Sequence, residues 1–281
     1  MRILGILALF LSLAGHATPA AKNPVSRYFH RVPIERAHLT WGEAQLSELP
    51  ADSLDVLVWN VKKGAKETFG SEIQRLGEDK DIFLIQEAFT SPEFIQKISW
   101  FSDYQWELGI SFTYRLYSNN GTGNMIGARV KPTWVKVEHT VDLEPVTETP
   151  KTTAYAKYPV AGREEELLVI SMHGINFTSF EAFARHLEQV RGEIERHSGP
   201  VILAGDFNTR TKERMAQVRT FTNSLHLLEV KFVNGNLRMT AVGSNNILDH
   251  AFLKGFKVRH AEVFPSRGSD HQPLVLNLDF L

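Results

Sequence analysis

The chain has 281 residues and no cysteine, which excludes disulfides and any thiol-linked lipid anchor. A formal charge of -1 and a pI near 6.8 exclude an overall basic footprint for nucleic acid, although a local basic groove stays compatible with them. With 43% hydrophobic residues and no internal repeat, the chain can bury one large core, and a solenoid is excluded.

Met1-Arg2 is followed by Ile3 to Ala14, apolar but for Ser12. A transmembrane helix needs about 20 apolar residues, so this run is too short to span. One positive residue, an apolar run and then the small residues Gly15, Ala17 and Ala20 predict a secretory signal over residues 1–20. Cleavage is expected after Ala17 or Ala20. The mature protein is then secreted or periplasmic, with no integral membrane span, and is expected to be a monomer. An uncleaved anchor is the alternative. Residues 21–50 read as a polar, irregular lead-in, and 51–281 as one domain without a linker.

Leu54 to Trp59 is a buried-strand run ending at Asn60. Phe69, Ile73 and Leu76 follow at helical spacing, with Gly77 as the stop. Ile82 to Ile85 predicts a second strand, ending at Gln86-Glu87, and Ser91-Pro92 starts a helix. Residues 100–160 are rich in aromatic and β-branched residues and predict three to five antiparallel strands around a polar turn at 118–123. Leu167 to Met172 predicts a strand ending at His173. Ser179 caps a helix with Phe183, His186 or Leu187, Val190 and Ile194 inside. Val201 to Ala204 predicts another strand, closed by Gly205, Asp206, Phe207 and Asn208. A helix over about 211–221 and strands over 246–253, 257–264 and 273–278 complete the chain. Helices alternate with strands in places and strands follow strands in others, which predicts two sheets packed face to face with helices outside.

The polar residues at these strand ends form a set: Asn60, Glu87, His173 with Asn176, Asp206 with Asn208, and Asp249. Ser269-Asp270-His271 precedes the last strand. Asp206 and Asn208 read either as an Asx-turn or as an acid beside an amide donor for catalysis. Glu87 offers hard carboxylate oxygens suited to Mg²⁺ or Mn²⁺, with Asp270 and Asn60 to complete the shell; a helix-capping Glu is the ordinary alternative. Asp270 and His271 are successive, so they converge on one site only from a loop.

Leu57-Val58-Trp59-Asn60, Leu84-Ile85-Gln86-Glu87, His173-Gly174-Ile175-Asn176, Gly205-Asp206-Phe207-Asn208, Leu248-Asp249-His250 and Gly268-Ser269-Asp270-His271-Gln272-Pro273 resemble the endonuclease/exonuclease/phosphatase family. Its YafD-like bacterial branch is similar through Lys62-Lys63, His173 to Phe177 and His197 to Ile202. The resemblance runs from about Leu54 to Leu278. It implies a deoxyribonuclease-like four-layer α/β sandwich, two mixed β-sheets flanked by helices, and hydrolysis of phosphoesters with Mg²⁺ or Mn²⁺. It assigns the metal to Glu87, with Asn60 and Asp270 nearby. Asp206 positions or deprotonates the attacking water, Asn208 holds a phosphate oxygen, and His271 contacts the phosphate, oriented by Asp249. His173 and Asn176 take the places of a second His or Tyr and its neighbouring amide.

Two departures stand out. Lys62 occupies a place where many members carry an acid or amide; a charged Lys cannot bind a metal but can meet a substrate phosphate as a point charge. No acid in 124–130 is available to pair with His173, which is then a hydrogen-bond donor. Three functions compete: a phosphodiesterase on nucleic acid, which is favoured; the same chemistry on a phospholipid head group or inositol phosphate; and a binding or toxin-like module without turnover. The aromatics Phe94, Trp100, Phe101, Tyr104, Trp106, Phe112, Tyr114 and Tyr117 read as sheet core or, if exposed, as rings for bases or a membrane interface. Lys62, Lys63, Lys66, Arg115 and Arg129 read as ordinary surface or as a basic wall around the site.

Overall fold

The structure is a computed structural model and describes residues 23–281. The signal sequence expected over residues 1–20 lies outside the described residues. No helix among the described residues is long and apolar enough to cross a membrane.

The chain first lays down β1 (Phe29–Arg31), β2 (His38–Gly42), β3 (Ser53–Asn60), β4 (Ile82–Phe89), β5 (Gln105–Tyr114) and β6 (Asn120–Ala128). It then builds a second sheet from β7 (Trp134–His139), β8 (Thr152–Tyr158), β9 (Leu167–His173), β10 (Val201–Asp206), β11 (Leu228–Glu229) and β12 (Asp249–Lys254). Finally β13 (Phe256–Val263) and β14 (Leu274–Phe280) return to the first sheet. The larger sheet has the order β1-β5-β6-β4-β3-β14-β13, with β2 also on β5; the smaller has the order β11-β12-β10-β9-β8-β7. β3 runs parallel to β4 and β9 parallel to β10, so both sheets are mixed.

Strand periodicity sorts the apolar side chains into layers. Leu54, Val56 and Val58 of β3, Ile82 and Leu84 of β4, Val169 of β9, Ile202 and Ala204 of β10 and Ala251 of β12 form one cluster between the sheets. The alternate residues Leu57, Trp59, Phe83 and Ile85 pack with Phe69, Ile73 and Leu76 of α1 (Phe69–Gly77) and with Phe94 and Ile98 of α2 (Pro92–Ile98). On the other side, Leu168, Ile170, Val201 and Leu203 meet Phe183, Leu187, Val190 and Ile194 of α3 (Phe180–Glu195) and Val218 and Phe221 of α4 (Lys212–Ser224). The result is a four-layer α/β sandwich. Each fully buried Leu, Ile or Phe in it contributes about 1.5–3 kcal/mol by leaving water. Ser91 and Ser179 cap α2 and α3, their hydroxyl oxygens accepting from Phe94 N and Ala182 N at 3.2 and 3.3 Å.

The lead-in differs from expectation. Residues 29–31 and 38–42 are not irregular; both pair antiparallel with β5 and extend the larger sheet. β1 is too short to show a hydrophobic period, and β2 alternates only through Leu39 and Trp41 on a mostly exposed strand. The aromatic stretch is mostly core: Phe94, Phe101, Tyr104, Trp106 and Phe112 are buried, while Trp100 and Tyr117 are exposed.

Candidate active site

The same alternation that builds the inter-sheet core aims the polar residues. Asn60 continues the Val56, Val58 series of β3, and Asp206 continues the Ile202, Ala204 series of β10. His173 continues Val169 on β9, and Asp249 continues Ala251 on β12. In register, Asp206 lies between His173 and Asp249, and Asn60 lies beside Gln86. The apolar layer between the sheets therefore ends in one polar rim fed from both. Asp249 was expected at a strand end; it begins β12, which meets the rim because it runs antiparallel to β10. Gly205 is required by packing: a Cβ there would lie 2.0 Å from Met172 O, with φ at +143°.

One oxygen is shared. Asn60 Nδ2 donates to Asp206 Oδ2 at 3.1 Å, bridging the two sheets. His173 Nε2 is 3.5 Å from that oxygen and His271 Nε2 3.8 Å. Asp206 Oδ1 accepts from Asn208 N at 2.9 Å, the Asx-turn, so the turn and the site are the same residues. Asn208 Nδ2 donates to Gly174 O at 3.0 Å. His271 reaches the rim from the 264–273 loop, its carbonyl accepting from Trp59 Nε1 at 2.9 Å and Ser269 Oγ donating to Asn60 O at 2.7 Å.

The two imidazoles differ in charge. Burial disfavours the charged form of His271, but the Asp249 and Asp206 carboxylates outweigh it and push its pKa up to about 10. Burial and the Lys151 ammonium lower His173 to about 3, against the pull of Asp206 and Glu87. At neutral pH, His271 is a cationic donor and His173 a neutral imidazole.

Glu87 leaves the strand alternation at an irregularity between Ile85 and Ala88, with φ at 53°. Its carboxylate meets Lys63 Nζ, and Asp270 meets Lys62 Nζ. Burial raises the Glu87 carboxyl, but Lys63 and Lys151 outweigh it, so it lies below the usual carboxylate range. Asn60 Oδ1 accepts from Lys62 N at 3.1 Å. Glu87, Asp270 and Asn60 together offer hard oxygen donors of the kind Mg²⁺ and Mn²⁺ take, and both carboxylates already attract a cation. Ligand-type atoms of Asp206, Asp249 and His271 also lie within 4.8 Å of one another. In that trio His271 Nδ1 is already engaged by Asp249, which leaves only Nε2 as a ring donor to an ion.

Of the sequence-expected residues, the structure brings Asn60, His173, Asp206, Asn208, Asp249 and His271 into direct contact and sets Glu87, Asp270 and Lys62 alongside. Asn176 sits on the loop after β9, its Oδ1 accepting from Arg210 Nε at 2.7 Å and its N donating to Glu144 Oε1 at 3.0 Å. Glu144 and Lys151, whose Nζ lies 3.5 Å from Glu144 Oε1, come from a long connection without periodicity. Arg210 and Arg214 were missed as well. The Arg214 guanidinium donates to Ile175 O, Asn208 O and Thr178 O, tying the loops after β9 and β10 together. Nothing in the sequence of α4 sets Arg214 apart from its polar neighbours. Of the five basic residues that read as ordinary surface or as a basic wall, two have partners outside the rim. Arg129 pairs with Asp103, and its N–H donates to Asp81 O, at the opposite end of the larger sheet; Arg115 pairs with His30.

A model of the endonuclease/exonuclease/phosphatase family matches residues 57–271. The chain belongs to the endonuclease/exonuclease/phosphatase family. A UPF0294 protein of Vibrio cholerae serotype O1 is 33% identical over 230 residues, covering 81% of this chain and 78% of that protein. The fold is similar to that of an endonuclease/exonuclease/phosphatase family protein from Leptotrichia buccalis, with a TM-score of 0.62 at 18% identity over 81% of this chain and 100% of that one. It is also similar to D. rerio TDP2 complexed with single-strand DNA product, with a TM-score of 0.52 at 17% identity over 80% and 98%. The family match spans both sheets and every rim segment from Asn60 to His271.

Proposed function

We propose that this chain is a divalent-metal-dependent phosphodiesterase that cleaves nucleic acid. The observation that carries the reading is the shared Asp206 oxygen, held by Asn60 and flanked by a cationic His271 that Asp249 orients. Hydrolysis forms a bond from water oxygen to phosphorus and breaks the bond to the ester oxygen. Asp206 accepts the water's proton, and the departing ester oxygen leaves as an alcohol after taking a proton from solvent. His271 Nε2 donates to a phosphate oxygen as negative charge grows there, and Asn208 and Asn176 supply amide donors. Asn176 Oδ1 is taken by Arg210, which leaves its NH₂ to donate. Glu87 and Asp270, with Asn60, would hold Mg²⁺ or Mn²⁺, which supplies charge neutralisation at the phosphate oxygens.

Lys62, Lys63 and Lys151 at the rim each balance a carboxylate, which becomes available to a cation when a substrate phosphate takes the ammonium, and the fold is shared with a TDP2 structure that contains a DNA product. The direct test offers the purified protein with Mg²⁺ plasmid DNA, RNA, sphingomyelin and inositol phosphates. Metal-dependent cleavage of DNA or RNA is expected. Turnover of the lipid or the inositol phosphates alone would move the protein to the second substrate class, and no turnover of any would leave a binding module. The export reading belongs to the same proposal. Mass spectrometry of the protein from its native cell should show a chain starting after Ala17 or Ala20, and soluble protein retaining Met1 would overturn it.

A further inference from the structure

Ten non-glycine residues among those described have positive φ, and five of them stand at or beside the rim: Lys62, Lys63, Glu87, Phe177 and Asn208. Four carry charged or amide groups of the site. Phe177 does not. Its backbone is held at φ 54°, in a region that bulky side chains rarely occupy, yet its ring remains 46% exposed. An exposed phenyl returns little to folding, so the strain is not offset by burial of that ring.

The surroundings fix the ring. Phe177 N donates to Asn176 Oδ1 at 2.9 Å, the same oxygen that Arg210 Nε reaches. The Arg210 guanidinium carbon lies over the ring, 4.7 Å from its centroid. Arg214 holds Ile175 O on one side of Phe177 and Thr178 O on the other, at 2.7 and 2.9 Å. An exposed aromatic is thus clamped next to Asn176, the amide proposed above to hold a phosphate oxygen, and over a guanidinium on the chain that carries Asp206 and Asn208.

We propose that Phe177, backed by Arg210, is a stacking platform for the nucleobase adjacent to the scissile phosphate. This rests on the nucleic-acid reading and narrows it. A base inside a duplex has both faces covered, so a single exposed ring engages a base that is already unstacked. The substrate class is therefore single-stranded nucleic acid or a frayed end.

The test is binding without turnover. Fluorescence anisotropy compares a labelled oligothymidylate with an abasic oligomer of the same length, on the full chain in chelator. Stacking on one ring is expected to favour the thymidine oligomer by about five-fold or more. Phe177→Leu should bring the ratio towards one, Phe177→Trp should keep it, and Trp100→Ala, at the ring with 66% exposure, should leave it unchanged. Phe177→Gly should also lose the preference while melting at the same or a higher temperature, because it relieves the backbone; a ring with a merely structural role would lower the melting point. A wild-type ratio near one, or a ratio indifferent to Phe177→Leu, overturns the platform. So does Phe177-dependent binding to sphingomyelin vesicles with no base preference. Failure to cleave any phosphodiester, with the base preference intact, would instead sink the catalytic reading and leave the platform standing.

Discussion

His271 Nδ1 lies 2.9 Å from both carboxylate oxygens of Asp249. The residues are on different segments, one in the loop before β14 and the other opening β12, so folding alone creates the pair. The contact orients the ring and directs Nε2 toward Asp206. Asp249→Asn keeps the size but removes the charge, and His271→Ala removes the donor. Each should lower kcat by about 10²-fold or more, and the double variant should be scarcely worse than His271→Ala, because the two act as one unit. A double-mutant cycle on turnover, with folding checked by thermal melting, measures this. Additive losses in folded variants would leave His271 without its partner.

Lys63 holds the carboxylate of Glu87 that the proposed divalent cation would take. Calorimetry with Mn²⁺ should therefore move in opposite directions for two variants. Glu87→Gln should weaken binding by ~10-fold or more, in the range of losses at metal shells, and Lys63→Met should tighten it. Unchanged Mn²⁺ binding in Glu87→Gln would show that another group holds the ion. Turnover should vanish in excess chelator and return with Mg²⁺ or Mn²⁺.

His186 is expected to make folding acid-sensitive. It is buried on α3, Nδ1 accepting from Ile175 N at 3.3 Å and Nε2 meeting Thr153 Oγ1 at 3.0 Å. Burial, with Lys151 and Arg214 nearby, lowers its pKa to about 3. The unfolded chain binds this proton below about pH 6.5 while the folded one does not, so stability is full above that value and falls as pH drops toward 3. By pH 5 the loss from this one group is on the order of 2 kcal/mol. His186→Asn keeps an acceptor for Ile175 N and cannot titrate. The difference in melting temperature between pH 7.5 and pH 5 should then shrink by about 4–8 °C relative to wild type. An equal difference in both proteins would place the acid sensitivity elsewhere.

Much of this was legible in the sequence because strand period and chemistry coincide. The buried runs before Asn60, His173 and Asp206 alternate between the inter-sheet and helix-facing layers, so the polar residue ending each run points where the last inward apolar residue did. His271 needed a carboxylate partner, and Asp249 supplies it. What escaped notice has no period to betray it. Glu144 and Lys151 lie in or beside a long connection, β1 is too short to alternate, and Arg210 is one polar residue among several after Asn208. The lysines beside Asn60 could be placed near the site, but their pairing with Asp270 and Glu87 depends on consecutive positive-φ residues, 47° and 64°. Each such residue costs about 1–2 kcal/mol, and local sequence does not announce it.

Asp206 is the group on which both sheets and both imidazoles converge, and its replacement tests the account most directly. Asp206→Asn keeps the size while removing the charge proposed to accept the water's proton. With Mg²⁺ present and a melting temperature close to wild type, kcat on the nucleic acid that the wild type cleaves should fall by about 10²-fold or more, the range for losing a general base. A folded Asp206→Asn that turns over at the wild-type rate would contradict the claim that this rim is where the phosphodiester is hydrolysed.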